Sequence, residues 1–317
     1  VIPAQSERKT TTMMNLLVLQ LLNGLQLGVL LFLIAAGLTL VFGIMDVVNL
    51  AHGVLYMVGA YFIATFAAMT GSFWWGLLLT VPAAIAVGLI LELVVIRRLY
   101  DRSHLDQVLA TFGLVMIANE AVKIVWGTSP LAVPMPELLS GSVPLMGPLQ
   151  YPVYRIAIIA SGLAMAGGLY LVINHTRIGM LLRAGATNRA MVSALGIDIG
   201  KLFAIVFTLG AVLACIAGAL VAPILSVDTG MGESVLILTF VVVVIGGIGS
   251  IRGAFLGAIL VAVVDTLGGV FGPILLRSVL DPSAAGQAGR MLAPMLIYIL
   301  MAALLCVKPD GLFGGRG

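Results

Sequence analysis

Long apolar runs, each bounded by a short polar break, recur along this chain and dictate what it can fold into. The stretch from Trp74 to Ile96 carries one charged residue, Glu92. A run of about 18 or more apolar residues is long enough to cross a bilayer as a helix. Such runs lie near residues 16–43, 47–69, 75–96, 106–126, 153–174, 202–225, 235–248, 254–271 and 291–307. The first is long enough for one helix, or for a helix followed by a half-helix. The seventh is short and ends in Gly246-Gly-Ile-Gly-Ser250, so its standing as an independent crossing is open. The pattern predicts an all-α, polytopic transmembrane helix bundle of eight to ten spans. A soluble enzyme with one anchor is excluded: 61% of residues are hydrophobic and 9% charged, where soluble domains carry about 25% charge.

The sparse charges orient the spans. Arg97, Arg98 and Arg102 crowd one loop, Arg177, Arg183, Arg189 and Lys201 another, and Lys308 and Arg316 sit in the tail. The loops 127–152 and 226–234 contain no Lys or Arg. Basic loops stay cytoplasmic, so the two loops without basic residues are expected outside; Arg277 and Arg290 are exceptions to that parity. Residues 1–14 read as a polar tail ahead of a natural start at Met13 or Met14, without the apolar core of a signal peptide. Residues 15–308 read as a single membrane domain and 309–317 as a cytoplasmic tail. Cys215 and Cys306 lie in apolar runs and read as free thiols.

The 175–201 loop is the most informative stretch outside the membrane. Asn188 is a good N-cap, Arg189 to Leu195 can form two helical turns, and Gly196 stands where a helix stops. Met191, Ala194 and Leu195 then share one apolar stripe. Such a stripe fits a groove on a cytoplasmic partner, or lies on lipid headgroups with its arginines helping. From the residues alone both readings stand.

Elsewhere the polar features are few. The glycine-dense run 246–254 reads either as a broken helix beside a cavity or as a boundary turn, which Arg252 favours. Asn49 and His52 share a helix face beside the first break. Of the charges inside spans, Glu120 can pair with Lys123, and Glu92 lies one turn from Arg97 and can snorkel, leaving Asp265 as the candidate buried functional charge. The three histidines are too dispersed for a metal site. No phosphate loop or nucleophile elbow is present: Gly200-Lys201 lacks both the earlier glycine and the hydroxyl. The chain itself is therefore expected to hold no cofactor and to catalyse no reaction.

Four blocks resemble the first permease of branched-chain amino acid ABC importers, the high-affinity leucine/isoleucine/valine type. They are Asn23-Gly-Leu-Gln-Leu-Gly through Gly37-Leu-Thr-Leu-Val-Phe-Gly-Ile with Asn49-Leu-Ala-His-Gly to Tyr61; Thr176-Arg-Ile-Gly with Arg183, Asn188 and Leu195-Gly-Ile-Asp198; Gly246 to Ala254; and Lys308-Pro-Asp-Gly-Leu-Phe. They occur in the family's order from about Asn15 to the C-terminus, although Arg252 stands where the family often has proline. The resemblance implies the ABC importer permease fold in the bacterial inner membrane, moving solute by alternating access. It implies a second related permease, two ATP-binding subunits that use ATP and Mg, and a periplasmic solute-binding protein; nucleic acid is not an expected partner.

It also implies that the 175–201 loop couples to the ATPase, through Arg183, Asn188, Arg189, Met191, Ala194, Leu195 and Gly196. Asn49, His52, Gly246, Gly247, Gly249, Ser250 and Asp265 are the candidate lining of the path. Relatives carry branched-chain amino acids, but also urea, short amides and aromatic acids. The rival class is an ion-coupled secondary transporter, which needs a mid-membrane charge such as Asp265.

Overall fold

A computed structural model describes residues 5–146, 149–277 and 281–314 of the chain; Arg316 lies outside them, as do the side chains of Arg189 and Arg290. The order is α1 (Gln5–Leu40), α2 (His52–Thr70), α3 (Phe73–Val94), α4 (His104–Trp126), a hairpin of β1 (Ser142–Met146) and β2 (Leu149–Pro152), α5 (Val153–His175), α6 (Arg177–Thr187), α7 (Arg189–Ala194), α8 (Ile199–Val221), α9 (Met231–Gly246), α10 (Ile251–Leu276) and α11 (Pro282–Val307). Among the described residues eight helices are long and apolar enough to cross a membrane, in agreement with the expected bundle. The seventh apolar run forms α9, whose 16 residues extend about 24 Å at 1.5 Å each. That falls short of the roughly 30 Å hydrocarbon core.

The first run is a single long helix that closes in a π-helical turn over Val41–Met45. Asp46 then takes a left-handed conformation, φ 55, and the chain runs irregularly to His52. Irregular backbone at membrane depth must find its hydrogen bonds within the protein. Here α4 supplies them. Gln107 Oε1 accepts from the Val48 N–H at 2.9 Å and Thr111 Oγ1 from the Leu50 N–H at 3.2 Å. The polar Gln107 and Thr111, buried in an apolar span, are thus explained by the break they satisfy.

At the centre, α1, α2 and α8 pack with their backbones nearly touching. A Cβ at Gly37 would lie 2.8 Å from Gly210 Cα, and one at Gly59 or Gly218 would collide with the backbone of Cys215 or Tyr56. Lipid tails are as apolar as leucine, so helices associate in membranes by close packing of small residues. Around this centre α4, α5 and α11 keep most of their surface outward.

The ends of the bundle sort as the charges predict. The two loops without basic residues hydrogen-bond to each other, Leu131 N–H to Val227 O and Val227 N–H to Leu131 O, both at 2.9 Å. Arg155 at the same end donates to Asn23 Oδ1 at 2.6 Å. At the opposite end, the fully buried Glu92 receives Arg97 Nε at 3.2 Å and the Tyr100 hydroxyl at 2.5 Å. Glu120 and Lys123 pair at 2.7 Å. The tail folds back, with the Leu312 and Phe313 N–H groups capping the Ile245 and Gly246 carbonyls.

Gly59→Val is expected to destabilise the fold by about 3 kcal/mol, because the neighbour is backbone and cannot move aside. Gly113, with open space around it, is the control: Gly113→Ala is expected to stabilise α4 by about 0.5–1 kcal/mol. Unfolding of the purified variants in mixed micelles measures both.

Candidate functional site

The cytoplasmic site is built from three capped helices in series. Thr176 caps α6 through the Gly179 N–H at 3.2 Å, Asn188 caps α7 through the Met191 N–H at 2.9 Å, and Asp198 caps α8 through the Lys201 N–H at 3.1 Å. That N–H, helped by the Lys201 ammonium, holds the Asp198 carboxyl below its ordinary range. Gly196 (φ 81) closes α7. Its N–H reaches Ser193 O at 2.9 Å, and the next N–H, of Ile197, reaches Val192 O at 3.4 Å. This is the paired closure that glycine at the position after the cap permits.

A helix this short is held by its caps and one anchor. Val192 is that anchor, 3% exposed, while Met191 is 60% and Leu195 73% exposed. Ala194 is exposed with them. The apolar stripe read from the sequence therefore faces away from the bundle, and the anchoring valine lies off it. Arg183 faces elsewhere. Its Nη1 donates to the Ile173 carbonyl at the end of α5, and it borders a partly open cavity of about 220 Å³ shared with Thr39, Gly43, Asn174, Ser250 and Arg252.

The expected path residues do not form one cluster. Asn49 and His52 are completely buried. Asn49 Oδ1 accepts from the Ala51 N–H at 3.0 Å, while Asn49 Nδ2 has no hydrogen-bond partner among the described residues; the His52 ring lies beside the Ile34 backbone. The ring edge lies against Gly37, close to where α1 meets α8. Gly247, Gly249 and Ser250 form a turn between α9 and α10, with φ 97 at Gly247 and φ 83 at Gly249. Gly246 ends α9, and a Cβ on it would strike the Gly253 backbone. Ser250 caps α10 through the Gly253 N–H at 3.1 Å, so the run 246–250 is a tight turn. Its far side touches α1: a Cβ at Gly43 would lie 2.6 Å from Gly249 Cα. Asp265 stands apart, partly buried along α10, 14 residues beyond the start of that helix at Ile251.

A second hollow, unmarked by any sequence pattern, opens beside the loop joining α8 and α9. It holds about 470 Å³, and Leu27, Leu31, Tyr56, Asp228, Val235 and Leu238 are among its lining. It forms where the short α9 packs its first turn on α2, Gly232 against Gly53.

The model of the family described as the permease component of branched-chain amino acid transport systems matches residues 20–306. The chain belongs to this family. It is similar to the high-affinity branched-chain amino acid transport system permease BraD of Pseudomonas aeruginosa, 35% identical, with 93% of this chain and 95% of that protein covered. The permease LivH of Escherichia coli K12 is 27% identical over 93% of this chain and 94% of its own length. A probable permease LivH of Methanocaldococcus jannaschii is 25% identical over 90% and 89%. No solved structure matches. The chain is thus a multi-pass permease of the inner membrane, one component of a transport system with further subunits.

In this permease the caps of α7 are expected to carry measurable stability. Asn188→Ala and Gly196→Ala should each cost the short helix about 1 kcal/mol. Amide exchange over residues 189–197 should then be several-fold faster, with α8 unaffected.

Proposed function

We propose that this permease moves branched-chain and other hydrophobic amino acids inward by alternating access, driven by ATP hydrolysed on separate subunits. One observation carries the coupling: a short helix capped at both ends, anchored by Val192, presents Met191, Ala194 and Leu195 outward on the basic-loop side. An exposed apolar stripe on a preorganised helix suits a groove on an ATP-binding subunit. The relatives' names supply the solute class. On this reading two ATP-binding subunits hold ATP and Mg, the chain itself holds no cofactor and has no catalytic activity, and a second related permease and a periplasmic solute-binding protein complete the importer.

Closure of the ATP-binding subunits would move α7, and the Arg183 bond to the end of α5 would pass that movement into the bundle. The Gly43–Gly249 contact lies across the same cavity. Packed interfaces switch between discrete arrangements, so a displacement there would shift α1 against α10 as a step. Asn49 and His52, enclosed beside α1, would act in this reading by shaping the moving core, and the 246–250 turn as its pivot.

Reconstituted with its partner subunits, the permease is expected to take up leucine only with ATP on the cytoplasmic side, and to be indifferent to ionophores. Met191→Glu with Leu195→Glu should reduce uptake about tenfold or more and release the ATP-binding subunits, because a charge buried in an apolar groove is costly. Leucine uptake driven by an ion gradient without ATP would overturn the proposal in favour of an ion-coupled transporter centred on Asp265.

A further inference from the structure

The hollow beside the α8–α9 loop combines features that the rest of the molecule keeps apart. Its walls are largely aliphatic, from Leu27 and Leu31 on α1 and Val235 and Leu238 on α9. Into this apolar setting the loop places one carboxylate, Asp228. Its Oδ1 accepts from the Gly230 N–H at 2.8 Å, and none of the ion pairs among the described residues involves it. Among the described residues no Lys or Arg borders the hollow. Tyr56 is 5% exposed, its side chain is within electrostatic range of Asp228, and its hydroxyl makes no hydrogen bond among the described residues.

Asp228 is exposed at the mouth of the hollow, and a carboxylate there, paired with no cation among the described residues, attracts a cation and repels an anion. A volume of about 470 Å³ falls among small-molecule sites, roughly 300–1,000 Å³. The hollow lies on the side of the loops that lack basic residues, tied there by the Leu131–Val227 pair.

We propose that this hollow is an outward-facing binding site for an aliphatic amino acid, with Asp228 holding the α-ammonium group and the α1 and α9 leucines and valine holding the side chain. Tyr56 supplies a hydroxyl to the polar end. Among the described residues the site offers no fixed cation for the solute carboxylate, so its hold is weak. A transit site needs that property, since solute must leave as readily as it enters. This inference rests on the amino acid reading above and adds the place and the group that recognises the solute.

The test uses photo-leucine, a leucine analogue carrying a diazirine, on the reconstituted importer without its solute-binding protein. Peptides spanning 225–238 or containing Leu27–Leu31 are then read by mass spectrometry. Wild type should be labelled there, competitively with leucine. Asp228→Asn retains the turn-forming oxygen but loses the charge, and labelling should fall about tenfold, the loss typical of a charged hydrogen bond. Asp228→Glu should recover part of it, and the diazirine acid lacking the amino group should label all three weakly and alike. Ser226→Trp, at an exposed position lining the hollow, should abolish labelling by filling the space.

Wild-type labelling unchanged in both Asp228→Asn and Ser226→Trp, or absent at these peptides, overturns the site. ATP-dependent leucine uptake is measured on the same wild-type vesicles after the solute-binding protein is added back. Its failure there contradicts the proposed function, whereas intact uptake with an unlabelled hollow contradicts only this inference.

Discussion

Backbone against backbone, without side chains between, is the contact on which this permease depends. Gly37 meets Gly210, Gly59 meets Cys215 and Gly218 meets Tyr56. In a bilayer, burying a leucine against another helix gains little over leaving it in lipid, so the bundle cannot be held by apolar surface alone. Close approach supplies dense dispersion contacts instead, and it draws α1, α2 and α8 into one tightly packed centre. Cys215 takes part directly, its thiol donating to the Leu55 carbonyl at 3.0 Å.

The functional elements follow from that centre. Because α2 is pressed against α8, the chain between α1 and α2 must turn back irregularly inside the bundle, and Gln107 and Thr111 of α4 satisfy it. Gly53 at the start of α2 then receives the first turn of α9, which leaves α9 short and the hollow around Asp228 open beside it. At the other end, α1 terminates against Gly249, next to the cavity that Arg183 borders. The outer hollow and the coupling helices are therefore joined by rigid backbone contacts along α1.

Much of this was legible in the sequence, for reasons that are physical. Span positions follow from apolar run length, and the sidedness of the loops from Arg97, Arg98 and their counterparts. The α7 boundaries were readable because Asn188 and Gly196 act locally, through bonds to their own neighbours. What could not be read was direction. Met191 and Leu195 form an apolar stripe, but Val192 faces inward, and nothing in a helix of 6 residues distinguishes the anchor from the exposed side. Inside the spans both the lipid and the protein faces are apolar, so periodicity does not separate them.

His52 and Asn49 looked like lining residues and are enclosed. Asp228 had no mark in the sequence, because the residues that share its hollow, Leu27, Leu31 and Tyr56, come from distant sequence. The first helix also begins at Gln5, inside the stretch read as a polar tail.

The central claim is that the α7 face and the Asp228 hollow lie on opposite sides of one membrane-spanning core. It is tested most directly by cysteine accessibility with an impermeant maleimide, in a chain whose exposed Cys306 is replaced by alanine and whose buried Cys215 is retained. Ser226→Cys should label in right-side-out vesicles and Leu195→Cys only in inside-out ones. Labelling of both positions from the same side would contradict the account.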